Sequence, residues 1–504
     1  MVSPLRSLLL LAYVSCICVV VAVLSPRIIT LGSNSEFRVF TLEDFELLKK
    51  PATIDTAQQQ QLADLQARQD SIDKALFAQA IMQQTADSLA ALQPEDTSKS
   101  GRREKIEPVN TAVQKIEFPT TNQLALDKFF EALRKLAKED DFVRVVHYGD
   151  SQIEGDRITE YLRERLQDRF GGCGPGLLPP ETRKGMRQSI QTDFSKNWRK
   201  YAYIDSKNSP KHKRLGLLQA YYSFVSPLPP EATDKLQTAW VKYTDTEYGS
   251  ELLRKAERMK LIYNTNGSDL DVEVRADGKV LSQKTLSTST SEFDIFELDF
   301  EENFKTLKID FKTEGDAEVL GVSIDCESGV AVDNVPMRGS SGAEFSKIQK
   351  DYLKKQFEAL DTKLIIMQFG VNVVPSPAQS YKFYENLLYR QIMFLQSINP
   401  DANIVVVGLS DMARKNGLNY ESYPNIEKIR DAQRNAALKA GCAFWDLYAA
   451  MGGHNSMVSW VNAKPSLAGR DYTHFNARGA KLVAQLLYDA MIFEYEEYKK
   501  RMDD

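Results

Sequence analysis

An alternation of short apolar runs with amphipathic helical segments, broken once by a long stretch of period-2 sequence, most narrows the folds open to this chain. Before the break, LDKFFEALRKLAKED has helical spacing, FVRVVHY is a valine-rich run of strand length, and ITEYLRERLQDRF returns to the helical period. After it, KIQKDYLKKQFEAL, YKFYENLLYRQIMFLQSI, IEKIRDAQRNAALKAG and GAKLVAQLLYDAMIFEY are helical, with KLIIMQFG, ANIVVVGL and CAFWDL as the strands between them. Strands that are apolar throughout need cover on both faces. The expected architecture is therefore an α/β domain with a parallel sheet between helical layers, whose reactive groups gather at the carboxyl ends of the strands.

The interruption, residues 190–326, has a different texture. LDVEVR and KVLSQK flank Asp277-Gly278, a strong hairpin signal, and FDIFELDF and TLKIDF alternate cleanly. This predicts an inserted β-sandwich. Trp198, Tyr201, Tyr203 and Trp240 are candidates for a platform under sugar rings, against the commoner use of such residues as sandwich core.

Ahead of the α/β domain lie three segments of different character. Residues 7–24 are uncharged and reach the length that crosses a bilayer, about 17–25 residues. The run ends without a small-residue cleavage site and Tyr13-Val14-Ser15-Cys16 is a poor lipidation box, so residues 1–30 are expected to be an uncleaved membrane anchor, with a cleaved signal peptide and a lipoprotein signal as the alternatives. Residues 55–93, rich in Ala and Gln, suit a helical stalk, and residues 94–116 suit a linker. A net charge of −5 without dense basic clusters argues against a nucleic-acid partner. The four histidines are scattered and no CxxC is present, so neither a metal nor another cofactor is expected. Cys173, Cys326 and Cys442 permit at most one disulfide among them.

The chemistry gathers at the ends of apolar runs. FVRVVHY stops at Gly149-Asp150-Ser151, a turn that can present a hydroxyl, although GxSxG is absent. KLIIMQF stops at Gly370-Val371-Asn372, where a carboxamide could donate to an oxyanion. GVAVDNVPM leads into the small-residue loop Arg338 to Gly342, a source of backbone N–H groups. Near the C-terminus, Asp471 and His474 stand three apart in GRDYTHFNARG. A serine nucleophile needs a base and an orienting carboxylate, and this pair supplies both. His147 reads as a packed strand residue, and the Gly172 to Gly176 loop as a lining of the cleft.

The ordered set GDS, Gly loop, GxN and DxxH resembles the SGNH hydrolase superfamily, also called GDSL esterases. The resemblance implies a three-layer, flavodoxin-like parallel sheet built from residues 117–189 and 327–504. It implies Ser151 as nucleophile, His474 as base, Asp471 as its orienter, and Gly342, Asn372 and the Ser151 N–H as the oxyanion hole. The inserted sandwich, carbohydrate-binding-like in this position, is similar to the arrangement in bacterial peptidoglycan O-acetylesterases, as are FGGCGPGLLPP and SGVAVDNVPMRGSSG. The implied substrate is an O-acetylated glycan met at the periplasmic face of the inner membrane. An O-acetyltransferase fed by a membrane acyl-donor protein, and a non-catalytic glycan-binding envelope protein, are the alternatives. Two letters depart from the family pattern: Val373 stands where GxND has its acid, and Gln152 follows the nucleophile where GDSL has leucine.

Overall fold

The computed structural model describes residues 28–30, 36–38, 104–105, 109–182, 189–205, 207–226, 235–246 and 252–503. The expected membrane segment, residues 7–24, and the expected stalk, residues 55–93, lie outside them. Among the described residues no helix is long and apolar enough to cross a membrane. Ile28–Thr30 pairs antiparallel with Glu36–Arg38.

The α/β domain runs α1 (Asp127–Lys135), β1 (Phe142–Gly149), α2 (Thr159–Phe170), then, after the insertion, β2 (Gly329–Pro336), α3 (Lys350–Ala359), β3 (Thr362–Gln368), α4 (Lys382–Ile398), β4 (Asn403–Val407), α5 (Ile426–Lys439), β5 (Ala443–Trp445) and α6 (Ala477–Asp503). The strands lie in the order β2-β1-β3-β4-β5, all parallel. This is the flavodoxin-like order, in which the chain turns opposite ways after β1 and opens a crevice at the carboxyl ends of β1 and β3. Alternation along β1 explains the layers. Val143 and Val145 join a core with Phe129 of α1, Leu162 and Leu166 of α2 and Val483 of α6. Val146 and Tyr148, on the other face, join Leu353 of α3, Ile392 of α4 and Ala436 of α5 in a second core that continues into the sandwich.

The inserted sandwich has two antiparallel sheets. One is ordered Lys279–Leu286, Leu270–Ala276, Thr306–Thr313, Gln237–Asp245, Ile190–Phe194; the other is ordered Asp294–Asp299, Arg258–Asn264, Glu318–Asp325, Tyr221–Ser223, Arg199–Tyr201. Gly176–Leu178 also pairs with Glu318–Asp325, so the chain enters the sandwich before residue 190. The glycine-rich loop expected to line the cleft forms this crossing instead. Gly174 has φ +78°, and a Cβ there would sit 2.1 Å from the Ile324 carbonyl oxygen, so only glycine admits the close approach. A Cys173–Cys326 disulfide ties the crossing to the point where the chain leaves, while Cys442 is free and buried.

β2 coincides with the apolar run GVAVDNVPM, although Asp333 and Asn334 interrupt it. Both are buried, and Asp333 has an interdomain task. Its Oδ1 accepts from Arg144 Nη1 of β1 at 2.7 Å and from Leu177 N at 2.8 Å. Arg144 Nη2 reaches Asp325 Oδ2 at 2.7 Å and Ser323 Oγ at 2.8 Å in the sandwich. An apolar contact would not fix the two domains in angle; this charged fork does. The described end of the expected linker also belongs to the body: Ile116 is buried, Glu117 bridges Phe444, and Trp445 Nε1 donates to Gln114 O at 2.9 Å.

Of the proposed aromatic platform, Trp198 and Tyr201 are buried. Trp198 packs edge-on against Phe224 and Phe311, and Tyr201 stacks on Tyr221, whose other face carries His212. Trp198 therefore serves the core, whereas Tyr201 lines a cavity of about 830 Å³ with His212 and Tyr221, and Tyr203 and Trp240 are half-buried.

Candidate active site

β1 ends at Gly149 with β2 on one side and β3 on the other, so the loops after Pro336 and Gln368 flank the turn that carries Ser151. Met337 N donates to Gly149 O at 2.7 Å and Asp150 N to Gln368 O at 3.1 Å, continuing both ladders past the strand ends. Three blocks distant in sequence meet here because parallel neighbours end on the same side of a sheet.

Ser151 Oγ lies 2.8 Å from His474 Nε2, and His474 Nδ1 lies 2.8 Å from Asp471 Oδ2. With the proton on Nδ1 the ring donates to the carboxylate and leaves Nε2 to accept from the hydroxyl. Asp471 Oδ1 also accepts from the backbone N–H groups of Thr473, at 3.1 Å, and His474, at 3.0 Å. Burial pushes the Asp471 carboxyl up, but the donors from His474 and Thr473 outweigh it and hold the group below its ordinary value. The carboxylate thus stays charged beside the imidazole. The turn is strained: Tyr472 has φ +54°, its ring stacks on Tyr420 at 3.7 Å, and its carbonyl accepts from Ala413 N at 3.0 Å.

The oxyanion candidates are arranged around Ser340. Asn372 is exposed, and its Nδ2 donates to Ser340 O at 2.9 Å, which leaves its second amide hydrogen for another acceptor. The Gly342 N–H is directed at Ser340 Oγ, 2.8 Å away, and Ser340 Oγ in turn hydrogen-bonds Glu344. Gly342 therefore spends its N–H inside its own loop, contrary to its expected place in the hole; its φ of +82° and contact with the Phe369 ring explain the glycine. Gly370 has φ +127°, and a Cβ there would sit 2.8 Å from Gln433 and from Leu409. Val373 is buried among Val374, Tyr381 and Leu409, so an acid at this position would lack solvation.

Gln152, noted in the sequence without a task, and Arg157, which motif reading missed, both hold the nucleophile turn. The Gln152 side chain is 1% exposed and faces inward. Its Nε2 donates to Thr473 O at 2.7 Å and to Ser410 Oγ at 3.0 Å. Arg157 donates to Ser151 O at 2.6 Å, Glu154 O at 2.8 Å and Phe475 O at 2.8 Å. Together they tie the nucleophile turn to both sides of His474. Their only trace in the sequence is nearness to Ser151, since Thr473 and Phe475, the partners that flank His474, lie more than three hundred positions away. His147 is a packed residue, bonded to Gln368 Oε1 at 3.1 Å and held down to about 4 by burial. Asp150 is fully buried beside the nucleophile; burial raises its carboxyl to about 7 against the backbone donors of Gln152, Val371 and Gly370. Among the described residues no cluster of His, Cys, Asp or Glu could hold a metal ion.

Residues 312–482 match the family model described as GDSL-like lipase/acylhydrolase. The match takes in Gly342, Asn372, Asp471 and His474 but not Ser151, which lies on the far side of the insertion. No curated protein matches the chain. Among solved structures, a peptidoglycan O-acetylesterase is similar over 73% of this chain and 96% of its own, at 21% identity and a TM-score of 0.59. A family two carbohydrate esterase from Clostridium thermocellum, in complex with cellohexaose, is similar over 52% of this chain and 93% of its own, at 9% identity and a TM-score of 0.25. In motif order and fold the chain resembles the SGNH hydrolases, and among them the peptidoglycan O-acetylesterases.

Proposed function

We propose that this SGNH-type hydrolase is a serine esterase that removes O-acetyl groups from cell-envelope glycans such as peptidoglycan, through an acyl-enzyme. The observation that carries the reading is the unbroken relay from Asp471 through His474 to Ser151, with 2.8 Å at each step, at the mouth of the crevice. Ser151 Oγ attacks the acetyl carbonyl while His474 Nε2 takes its proton. The charge that forms on the carbonyl oxygen is met by the Ser151 N–H and the free amide hydrogen of Asn372. Collapse expels the sugar hydroxyl, which recovers the proton from His474. Water then attacks the acyl-serine by the same route and releases acetate.

The placement at the periplasmic face, through residues 7–24, is part of the same reading. The test is acetate release from O-acetylated peptidoglycan by the full chain, with and without an acceptor oligosaccharide. Release that is lost in Ser151→Ala supports the esterase. Equal release in that variant would sink it, and acetylated acceptor as the main product would mark a transferase served by a membrane acyl donor.

A further inference from the structure

A cavity of about 490 Å³ lies between the α/β domain and the sandwich, and the relay does not use it. One wall is Glu154-Gly155, in the turn begun by Ser151, together with Asn334 to Pro336 and Arg338 at the end of β2. Glu154 N lies 3.3 Å from Ser151 O, so the cavity opens within one turn of the nucleophile. The other wall is sandwich: Glu181, Lys200, Asp205 and Lys207 over Tyr222 and Leu218.

We propose that this cavity is a subsite for the saccharide unit next to the one whose ester Ser151 attacks; the inference rests on the glycan-esterase reading above. Its volume lies in the range of ligand pockets, about 300–1,000 Å³. Its lining interleaves four carboxylates, Glu154, Asp156, Glu181 and Asp205, with three cations, Lys200, Lys207 and Arg338, and Asp156 is already neutralised by Arg163 behind it. Such a surface is dense in hydrogen-bond donors and acceptors and near neutral in sum. It suits a neutral polyhydroxylated ring better than a polyanion or polycation, and Tyr222 and Leu218 supply an apolar floor. Lys200 is central: burial pulls its ammonium below the ordinary value, while Glu181, Asp205 and Glu154 pull it up. The Arg144 fork and the Cys173–Cys326 disulfide hold both walls, so the subsite is formed before ligand arrives.

The test compares Lys200→Met and Glu181→Gln with wild type on p-nitrophenyl acetate, an O-acetylated monosaccharide and an O-acetylated chito-oligosaccharide free of peptide. KM for the oligosaccharide is expected to rise about tenfold, the scale of one lost hydrogen bond to a charged group, with kcat and both small substrates unchanged. An unchanged oligosaccharide KM in both variants, or an equal rise for the monosaccharide, would overturn the subsite. Should Lys200→Met lose aryl ester turnover through misfolding, Glu181→Gln, which keeps shape and loses only charge, decides on the same criterion. Failure of the underlying reading looks different: Ser151→Ala would then hydrolyse all three substrates as wild type does.

Discussion

Two hydrogen-bonded charge chains start from β1, and they differ in burial. Arg144, near its beginning, is 1% exposed and faces two carboxylates across the domain junction. Ser151, just past its end, meets a relay whose histidine and aspartate side chains are 34% and 53% exposed. The closed chain is locked, because removing any member strands a charge in a place water does not reach. The open chain keeps Nε2 against a hydroxyl that substrate can approach. The same chemistry of carboxylate and cation thus serves assembly at one end of the strand and proton transfer at the other.

The sharpest way to break this contrast is to remove one member of each chain. Ser151→Ala should abolish acetate release, on the scale of about 10⁶-fold in turnover known for a lost nucleophile of a triad, with an unchanged Tm. Arg144→Met should do the reverse: a loss of about 3–5 kcal/mol of stability, read as a lower denaturation midpoint, with turnover on a small aryl ester kept below the melting range. If Arg144→Met instead lost turnover in a folded protein, the division of labour would be wrong.

Smaller effects sharpen it. Asn372→Ala should lower kcat by about 10²- to 10³-fold with little change in KM, as for one oxyanion donor. Gln152→Ala should lower kcat by about tenfold, the scale of a lost buried hydrogen bond, and alter the pH profile by loosening the His474 loop; Gln152→Glu, which loses the donor, should not rescue it. Asp150 gives the mildest test. Its folded carboxyl titrates near 7, above the ordinary value, so its stabilising neutral form is complete at low pH and is lost as pH rises through that point. Asp150→Asn should therefore gain in Tm relative to wild type as pH is raised from about 4 to about 8. A gap that does not vary with pH would show that Asp150 is already ionised at the lower limit.

Much of this was legible because it is local. The valine-rich β1, the amphipathic helices and the Asp277-Gly278 hairpin follow from periodicities of 2 and 3.6 that short windows contain. What β2 did not disclose is the task of Asp333, whose partners Arg144 and Leu177 are far away in sequence. Trp198 stands among the platform candidates for the same reason, since nothing near it in sequence announces Phe311 as its neighbour.

By itself, the sequence determined the element alternation, the presence of a β-rich insertion, and the residue types Ser151, Asn372, Asp471 and His474 at the ends of elements. Only tertiary structure decided that Ser151 and His474 are in contact, that Gln152 and Arg157 hold them so, that Gly342 directs its N–H to Ser340, and that the glycine-rich loop is a junction. The physical reason is range. Helix and strand propensity act over a few residues, whereas orientation of a donor depends on groups that only folding brings within 3 Å or so.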